Sequence, residues 1–210
     1  DQINVKKLIE NEIVRQNEIY NKSLLIDNRK EKKTKKQLEE EQLIKDFITA
    51  TDNFVVYRPS FRLHTLLAGY PWFLDWGRDS LISFEGLLLV TKRFDIAKEV
   101  LQTLVRDIKF GLVPNGYSGF DNRPLYNSVD ASLLLFEQIQ KYVEYTEDYE
   151  FVKENLYEKL KDVIENYKNG IDVDDNNIYL DTDYLIVSGT QNTQNTWMDA
   201  KYGEFAATPR

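Results

Sequence analysis

Apolar residues recur every three or four positions along most of the chain, with charged residues of both signs between them. This spacing places the apolar side chains on one face of a helix and the charges on the other. Two largely apolar runs, at residues 81–90 and 133–143, are long enough for buried helices. The fold is therefore predicted to be predominantly all-α. The predicted helices span residues 3–26, 36–53, 81–90, 95–110, 133–143 and 148–168.

Two segments have the composition of strands, with β-branched and aromatic residues bounded by turn formers. Residues 54–57 and 64–67 are predicted to form a hairpin. Residues 171–187 are predicted to form a second hairpin around a turn at 174–177, because Asn and Asp tolerate a left-handed backbone. The acidic residues of this turn loosely match a calcium loop, but the required glycine is absent. An ordinary polar turn is favoured, and no metal is expected.

Residues 68–80 interrupt the helical pattern with two glycines, a proline and two of the three tryptophans. Glycine and proline favour turns, so this stretch is predicted to be a loop. It delivers Trp76, Arg78 and Asp79 to the start of the next helix. Either Asp79 or Ser80 is expected to cap that helix.

Aromatic rings beside a charged pair suit the recognition of a sugar. An indole covers the apolar C–H face of a sugar ring. Arg78 and Asp79 donate to and accept from neighbouring hydroxyls through charge-assisted hydrogen bonds. A structural alternative stays open, in which the tryptophans belong to the core and the Arg–Asp pair is a buried bridge, since buried charges are paired.

Two later segments have the same character. Residues 126–130 and 197–199 each bring aromatic and acidic side chains to the point where a helix is expected to begin. Helical hairpins that present their loops on one face build a concave site. The three loops are therefore predicted to form one binding site.

The composition narrows the class of protein. With 27 Lys and Arg against 35 Asp and Glu, the net charge is −8, which argues against a nucleic-acid partner and fits a neutral polar ligand. The chain has no cysteine and hence no disulfide framework. Its 210 residues suffice for one domain or two small ones. They show neither a signal peptide nor an apolar run that could span a membrane, so a cytoplasmic location is expected.

Several motifs together resemble the amylo-α-1,6-glucosidase domain of glycogen debranching enzymes. The most specific is the run AGYPWFLDWGRDS at residues 68–80. The others follow in the order of that family: GLVPN at 111–115, YNSVDAS at 126–132, TWMDA at 196–200 and TPR at 208–210. The resemblance covers roughly residues 45–210.

The fold of that family implies an (α/α)6 barrel of paired helices behind an N-terminal β-sandwich domain. Residues 36–210 are then expected to form about the first half of the barrel, with small β-hairpins. Residues 1–35 are expected to be a linker helix and a basic connector. Because the sequence opens on Asp1 and closes at Arg210 without a domain boundary, the second half of the barrel and the β-sandwich are expected to lie outside it.

The resemblance also implies an inverting glycoside hydrolase. Such an enzyme needs a carboxylic acid that protonates the leaving oxygen and a second carboxylate, roughly 6.5–9.5 Å away, that activates water. The resemblance assigns the acid to Asp199, which otherwise suits a helix N-cap. Trp197 beside it is expected to exclude water and raise its pKa. The general base is expected in the second half of the barrel, so these residues alone are expected to be inactive.

The same resemblance implies which residues hold the terminal glucose. Asp75 is expected in the pocket wall and Lys201 near the acid, while Asp130 also suits a helix N-terminus as a favourable charge. The expected substrate contacts are Trp76, Arg78, Asp79, Tyr126, Asp130 and Trp197.

Three functions follow from these expectations. The first is an exo-acting amylo-α-1,6-glucosidase that removes single α-1,6-linked glucose residues from glycogen or a related α-glucan during debranching. The second is another α-glucosidase of the six-hairpin clan, similar to glucoamylase. The third is a non-catalytic α-glucan-binding module. In each case the partner is an α-glucan or oligosaccharide, and no cofactor, metal, nucleic acid or membrane is expected.

Overall fold

The computed structural model describes residues 4–26, 33–118, 121, 123–173, 175–198 and 200–207. Across these residues the chain forms seven α-helices, a π-helical turn and nine short strands. About half of the chain is helical, which confirms the predicted helices with small β-hairpins in part, whereas the barrel stays a prediction. Three predicted features lie outside the described residues: the acid Asp199, Asp174 of the polar turn, and the motif at 208–210.

Two helices precede the first sheet. α1 (Val5–Lys22) begins at Asn4, whose side chain accepts a hydrogen bond from the first turn. α2 (Lys35–Asp52) begins with a capping box formed by Thr34 and Gln37. Both helices match helices predicted from the apolar spacing.

A three-stranded antiparallel sheet follows, in the order β1 (Val55–Arg58), β2 (Leu63–Gly69) and β3 (Phe73–Asp75). The predicted hairpin is confirmed as β1 and β2, and β3 lies within the stretch predicted to be a loop. Arg58 donates to both carboxylate oxygens of Asp75. These bonds fix the end of β3, where the chain turns into the next helix.

Trp76 connects β3 to α3 (Gly77–Phe84), which continues as a π-helical turn (Glu85–Leu89). The apolar run predicts this helix, but the helix begins earlier than the run. Trp76 occupies the N-cap position, and no side chain caps the first turn. The prediction that Asp79 or Ser80 is the cap is therefore wrong, because both residues lie inside the helix.

The remaining helices are α4 (Phe94–Arg106), α5 (Asp130–Thr146), α6 (Tyr149–Asn155) and α7 (Tyr157–Asn169). α4 ends short of the predicted boundary at residue 110. The prediction of one helix over residues 148–168 is wrong, because the chain breaks at Leu156, whose side chain is buried in the core. Among the described helices, none combines the length and the apolar character needed to cross a membrane.

The core lies between α3, α4, α5 and one face of β2. Tyr142 is fully buried there, and its hydroxyl donates to Asp148 at 3.0 Å. Burying one large apolar side chain stabilises the fold by about 1.5–3 kcal/mol. The largest buried core residues include Leu66, Leu81, Phe84, Leu88, Leu101, Leu135 and Tyr142.

Three small hairpins complete the described chain: β4 (Gly116–Tyr117) with β5 (Pro124–Leu125), β6 (Tyr179–Leu180) with β7 (Ile186–Val187), and β8 (Lys201–Tyr202) with β9 (Phe205–Ala206). The second confirms the hairpin predicted over residues 171–187. Its strands are joined by residues 181–185 and not by 174–177. The predicted turn instead lies between Ile171 and Ile178, which form an antiparallel bridge.

Gly77 lies where the loop after α4 contacts the start of α3. Its N–H donates to the carbonyl of Asn115 at 2.8 Å, and the N–H of Asn115 donates to the carbonyl of Leu125 at 2.8 Å. A Cβ atom at Gly77 would lie 2.2 Å from the carbonyl oxygen of Pro114. Glycine is therefore required for this loop to lie against the helix.

We expect Gly77→Ala to lower the free energy of unfolding by about 1–3 kcal/mol, because the loop must shift to admit a methyl group. Urea denaturation followed by circular dichroism measures the change. Gly86→Ala is the matched control, since no atom lies within 4 Å of a Cβ at that position. We expect this control to be as stable as the parent or slightly more stable. Equal midpoints for the parent and Gly77→Ala would contradict the prediction.

Candidate active site

A cavity of about 380 Å³ opens beside the start of α3. It is near the lower end of the range for ligand pockets, roughly 300–1,000 Å³, which suits a small ligand. Four of the residues predicted from the sequence to bind substrate lie in its wall. The lining residues are Ala68, Phe73, Trp76, Arg78, Asp79, Ile82 and Trp197.

Trp76 reaches the cavity because the chain passes directly from β3 into α3 at this residue. Its backbone forms an antiparallel bridge with Gly116. The indole lies against the same loop, since a Cβ at Gly116 would be 3.4 Å from Cε3 of Trp76. The loop after α4 therefore supports the backbone and one side of the ring.

Arg78 is buried, with 8% of its surface exposed, and it pairs with Asp130 at the start of α5. Its Nε and Nη2 donate to the two carboxylate oxygens at 2.7 and 2.8 Å. Ser128 contributes a third bond, because its hydroxyl donates to Asp130 at 2.7 Å. Among the described residues, none accepts a hydrogen bond from Nη1 of Arg78. That nitrogen remains available to a ligand.

Asp130 is held as a carboxylate. Burial by itself would raise the pKa of Asp130, but the hydrogen bonds from Arg78 and Ser128 and the charge of Arg78 outweigh this effect. The pKa of Asp130 therefore lies below its usual range. Asp130 is not among the residues that line the cavity. It is linked to the cavity wall through its ion pair with Arg78.

Asp79 differs from Asp130 because its side chain is exposed in the first turn of α3. Arg78 and Asp79, considered as a pair in the sequence, do not form an ion pair with each other. Within the part of the chain that the structure describes, no group bonds to the Asp79 carboxylate. Asp79 thus presents an unengaged carboxylate in the wall of the cavity.

Tyr126 is not among the residues that line the cavity. Its hydroxyl donates to the backbone carbonyl of Asp107 at 2.8 Å, and its own carbonyl accepts from the Asn176 side chain at 3.0 Å. Burial and the nearby charge of Asp107 raise the pKa of Tyr126. The Tyr126 hydroxyl is thus engaged by Asp107 and not by the cavity, while Lys201 is exposed on β8.

Asp75, expected in the pocket wall, is not among the residues that line the cavity. It is buried and paired with Arg58 at the end of β1. The guanidinium of Arg58 stacks on Phe61 at 4.3 Å and on Tyr117 at 5.3 Å. Burial raises the pKa of Tyr117. No sequence signal marks Arg58 or Tyr117 as a neighbour of Asp75, because these contacts depend on the fold.

Trp197 reaches the cavity through the segment that follows β7. Asn195 in this segment is buried, and its side chain donates to Ser188 at 2.8 Å and to the carbonyl of Asn176 at 2.9 Å. Its carbonyl accepts from the N–H of Val129 at 2.8 Å, next to the start of α5. These bonds hold the backbone two residues before Trp197, whose indole is largely exposed.

No group of three or more His, Cys, Asp or Glu side chains that could hold a metal ion occurs among the described residues. Nδ1 of His64 lies 2.7 Å from a carboxylate oxygen of Glu99.

The side chains that line the cavity offer indole faces, a guanidinium and a carboxylate. This set of groups can bind a neutral polyhydroxylated ligand by stacking and by charge-assisted hydrogen bonds.

Comparison with known proteins shows which family this chain is similar to. The family model described as amylo-alpha-1,6-glucosidase matches residues 49–210. A glycogen debranching enzyme of Saccharomyces cerevisiae is 38% identical over an alignment of 90 residues that covers 40% of this chain. The match spans only 6% of the length of that relative.

We expect Asp130→Asn to lower the free energy of unfolding by about 1–3 kcal/mol at pH 7, because it leaves a buried guanidinium without a charged partner. Since the pKa of Asp130 is depressed in the folded chain, the stabilisation is complete above about pH 4 and is lost as the pH falls below that value. Urea denaturation of both proteins at several pH values measures the difference.

The control for this experiment is Glu158→Gln, which breaks the exposed ion pair with Lys161. We expect this change to alter stability by less than about 0.5 kcal/mol at any pH. A difference between the parent and Asp130→Asn that stays constant from neutral to acidic pH would contradict the proposed role of the ion pair.

Proposed function

The chain belongs to the amylo-alpha-1,6-glucosidase family, and from this premise we propose that it forms the glucose-binding, acid-supplying part of a glycoside hydrolase. The reaction is removal of α-1,6-linked glucose from glycogen or a related α-glucan during debranching. One observation carries the proposal: Trp76, Arg78, Asp79 and Trp197 line one cavity. Three of these residues come from the run at residues 68–80, and Trp197 comes from a distant part of the sequence.

Each group in the cavity has a role in holding the terminal glucose. The indoles of Trp76 and Trp197 cover the apolar faces of a sugar ring. The unengaged carboxylate of Asp79 accepts from sugar hydroxyls. Nη1 of Arg78 donates to a neighbouring hydroxyl, while its other nitrogens stay bonded to Asp130. Such charge-assisted bonds are stronger than neutral ones, and their geometry selects the position of the hydroxyls.

The chemistry is hydrolysis with inversion at the anomeric carbon. Asp199 donates a proton to the glycosidic oxygen as the bond between that oxygen and the anomeric carbon breaks. A second carboxylate removes a proton from water, which attacks the carbon from the opposite face. We assign this general base to the second half of an (α/α)6 barrel, of which residues 36–210 are about the first half. Residues 1–35 are the linker before it.

A non-catalytic glucan-binding module is the second candidate. It is favoured by one observation: Asp79 is the only carboxylate among the described residues that line the cavity. An inverting hydrolase needs two carboxylates on opposite faces of the sugar. A binding module needs none, and its affinity comes from stacking and hydrogen bonds alone.

We expect Asp199→Asn, made in the whole gene product, to reduce glucose release from a glycogen limit dextrin by about 10²–10⁴-fold, because it removes the general acid. Binding of the same dextrin, measured by affinity electrophoresis, should change little. Asp95→Asn is the matched control, since this exposed carboxylate lies at the start of α4. Turnover that survives Asp199→Asn would refute the assignment of the acid.

The location of the base is tested by comparing the 210-residue chain with the whole gene product. We expect the gene product to release glucose from the limit dextrin and the chain alone to bind the dextrin without releasing glucose. Glucose release by the chain alone would place the base within these residues and contradict the assignment to a second half of the barrel. Absence of release by either protein would favour the glucan-binding module.

A further inference from the structure

The connection between β2 and β3 presents a group of exposed aromatic side chains beside the cavity. We refer to residues 70–74 as the aromatic turn. Trp72 is 83% exposed, and Phe73 is 56% exposed while also lining the cavity. Tyr70 and Leu74 add further exposed apolar area. Large exposed apolar side chains gathered in one turn mark a binding site more often than singly scattered ones do.

The aromatic turn is held by the strands on both sides of it. Gly69 pairs with Phe73 in the antiparallel register of β2 and β3. The ring of Tyr70 packs against Phe54 with 6.3 Å between centroids. At the other end, Asp75 is anchored by Arg58. The exposed indole therefore sits on a supported hairpin, and a ligand that stacks on it orders little additional chain.

We propose that the aromatic turn is a second sugar subsite, in which Trp72 stacks on glucose residues of an α-glucan that extend beyond the cavity. This proposal rests on the proposed function. The cavity is near the lower limit for a ligand pocket, so a polymeric substrate must continue over the adjoining surface. Phe73 contributes to both surfaces, which makes them continuous.

The chemistry of the aromatic turn favours an uncharged ligand with apolar faces. Residues 70–74 contain no charged side chain, and the adjoining Asp75 is paired with Arg58. Rings such as Trp and Tyr combine an apolar face with one polar group. A glucose residue has the complementary arrangement, with C–H groups on its face and hydroxyls at its rim.

The experiment compares a long and a short substrate of the whole gene product. A limit dextrin reaches from the cavity over the aromatic turn, whereas isomaltose has only two glucose residues. We expect Trp72→Ala to raise the KM for the dextrin about three- to tenfold, the range of one aromatic stacking contact. The KM for isomaltose and both kcat values should stay unchanged. Trp72→Tyr should restore most of the loss.

The matched control is Tyr149→Ala. Tyr149 is 70% exposed and lies on α6, which follows the end of α5 opposite to Asp130. We expect it to alter neither KM. Equal increases of both KM values, or no increase of either, would overturn the second subsite. A change in oligomeric state of Trp72→Ala on size-exclusion chromatography would also overturn it, because the turn would then be a protein interface.

If the proposed hydrolase function is wrong, the kinetic experiment gives a result that differs from failure of the second subsite. If the parent gene product releases no glucose, hydrolysis is excluded, and the second subsite is tested by binding alone. Affinity electrophoresis in gels that contain glycogen then measures retardation of the parent, Trp72→Ala and Tyr149→Ala. We expect Trp72→Ala alone to lose retardation. Equal retardation of all three proteins would overturn the subsite.

Discussion

The ion pair between Arg78 and Asp130 is the interaction on which the rest of the site depends. It joins the first turns of α3 and α5, the two helices whose apolar faces meet in the core. A guanidinium this well buried would be strongly destabilising without a partner. The pairing uses Nε and Nη2. The contact that fixes two helices therefore also leaves one nitrogen of the same guanidinium for a ligand.

The other parts of the cavity are fixed by backbone contacts to these two helix starts. The loop after α4 is bonded to Gly77 at the start of α3, and the segment before Trp197 is bonded to Val129 at the start of α5. Backbone bonds depend little on side-chain identity, so each loop has a defined position even where its own sequence is polar and irregular. The cavity is assembled by long-range contacts around the ends of two helices.

Much of the fold could be predicted because apolar spacing reports which face of a helix is buried. Helix boundaries were less predictable, since the break at Leu156 reflects packing against the core rather than a local breaker. The site was predictable where a motif gathers its residues, as with Trp76, Arg78 and Asp79. The pairing of Arg78 with Asp130 and of Arg58 with Asp75 was not, because both join positions far apart in the sequence and nothing local distinguishes the partner.

The three tryptophans of the chain lie in or next to the wall of one cavity. Trp76 and Trp197 line the cavity, and Trp72 directly precedes a third residue of its wall. All of the indole fluorescence of the chain therefore originates from one face of the molecule. The emission of an indole depends on the water around it. The protein thus carries a built-in optical reporter of this face, and its occupancy can be followed without any attached dye.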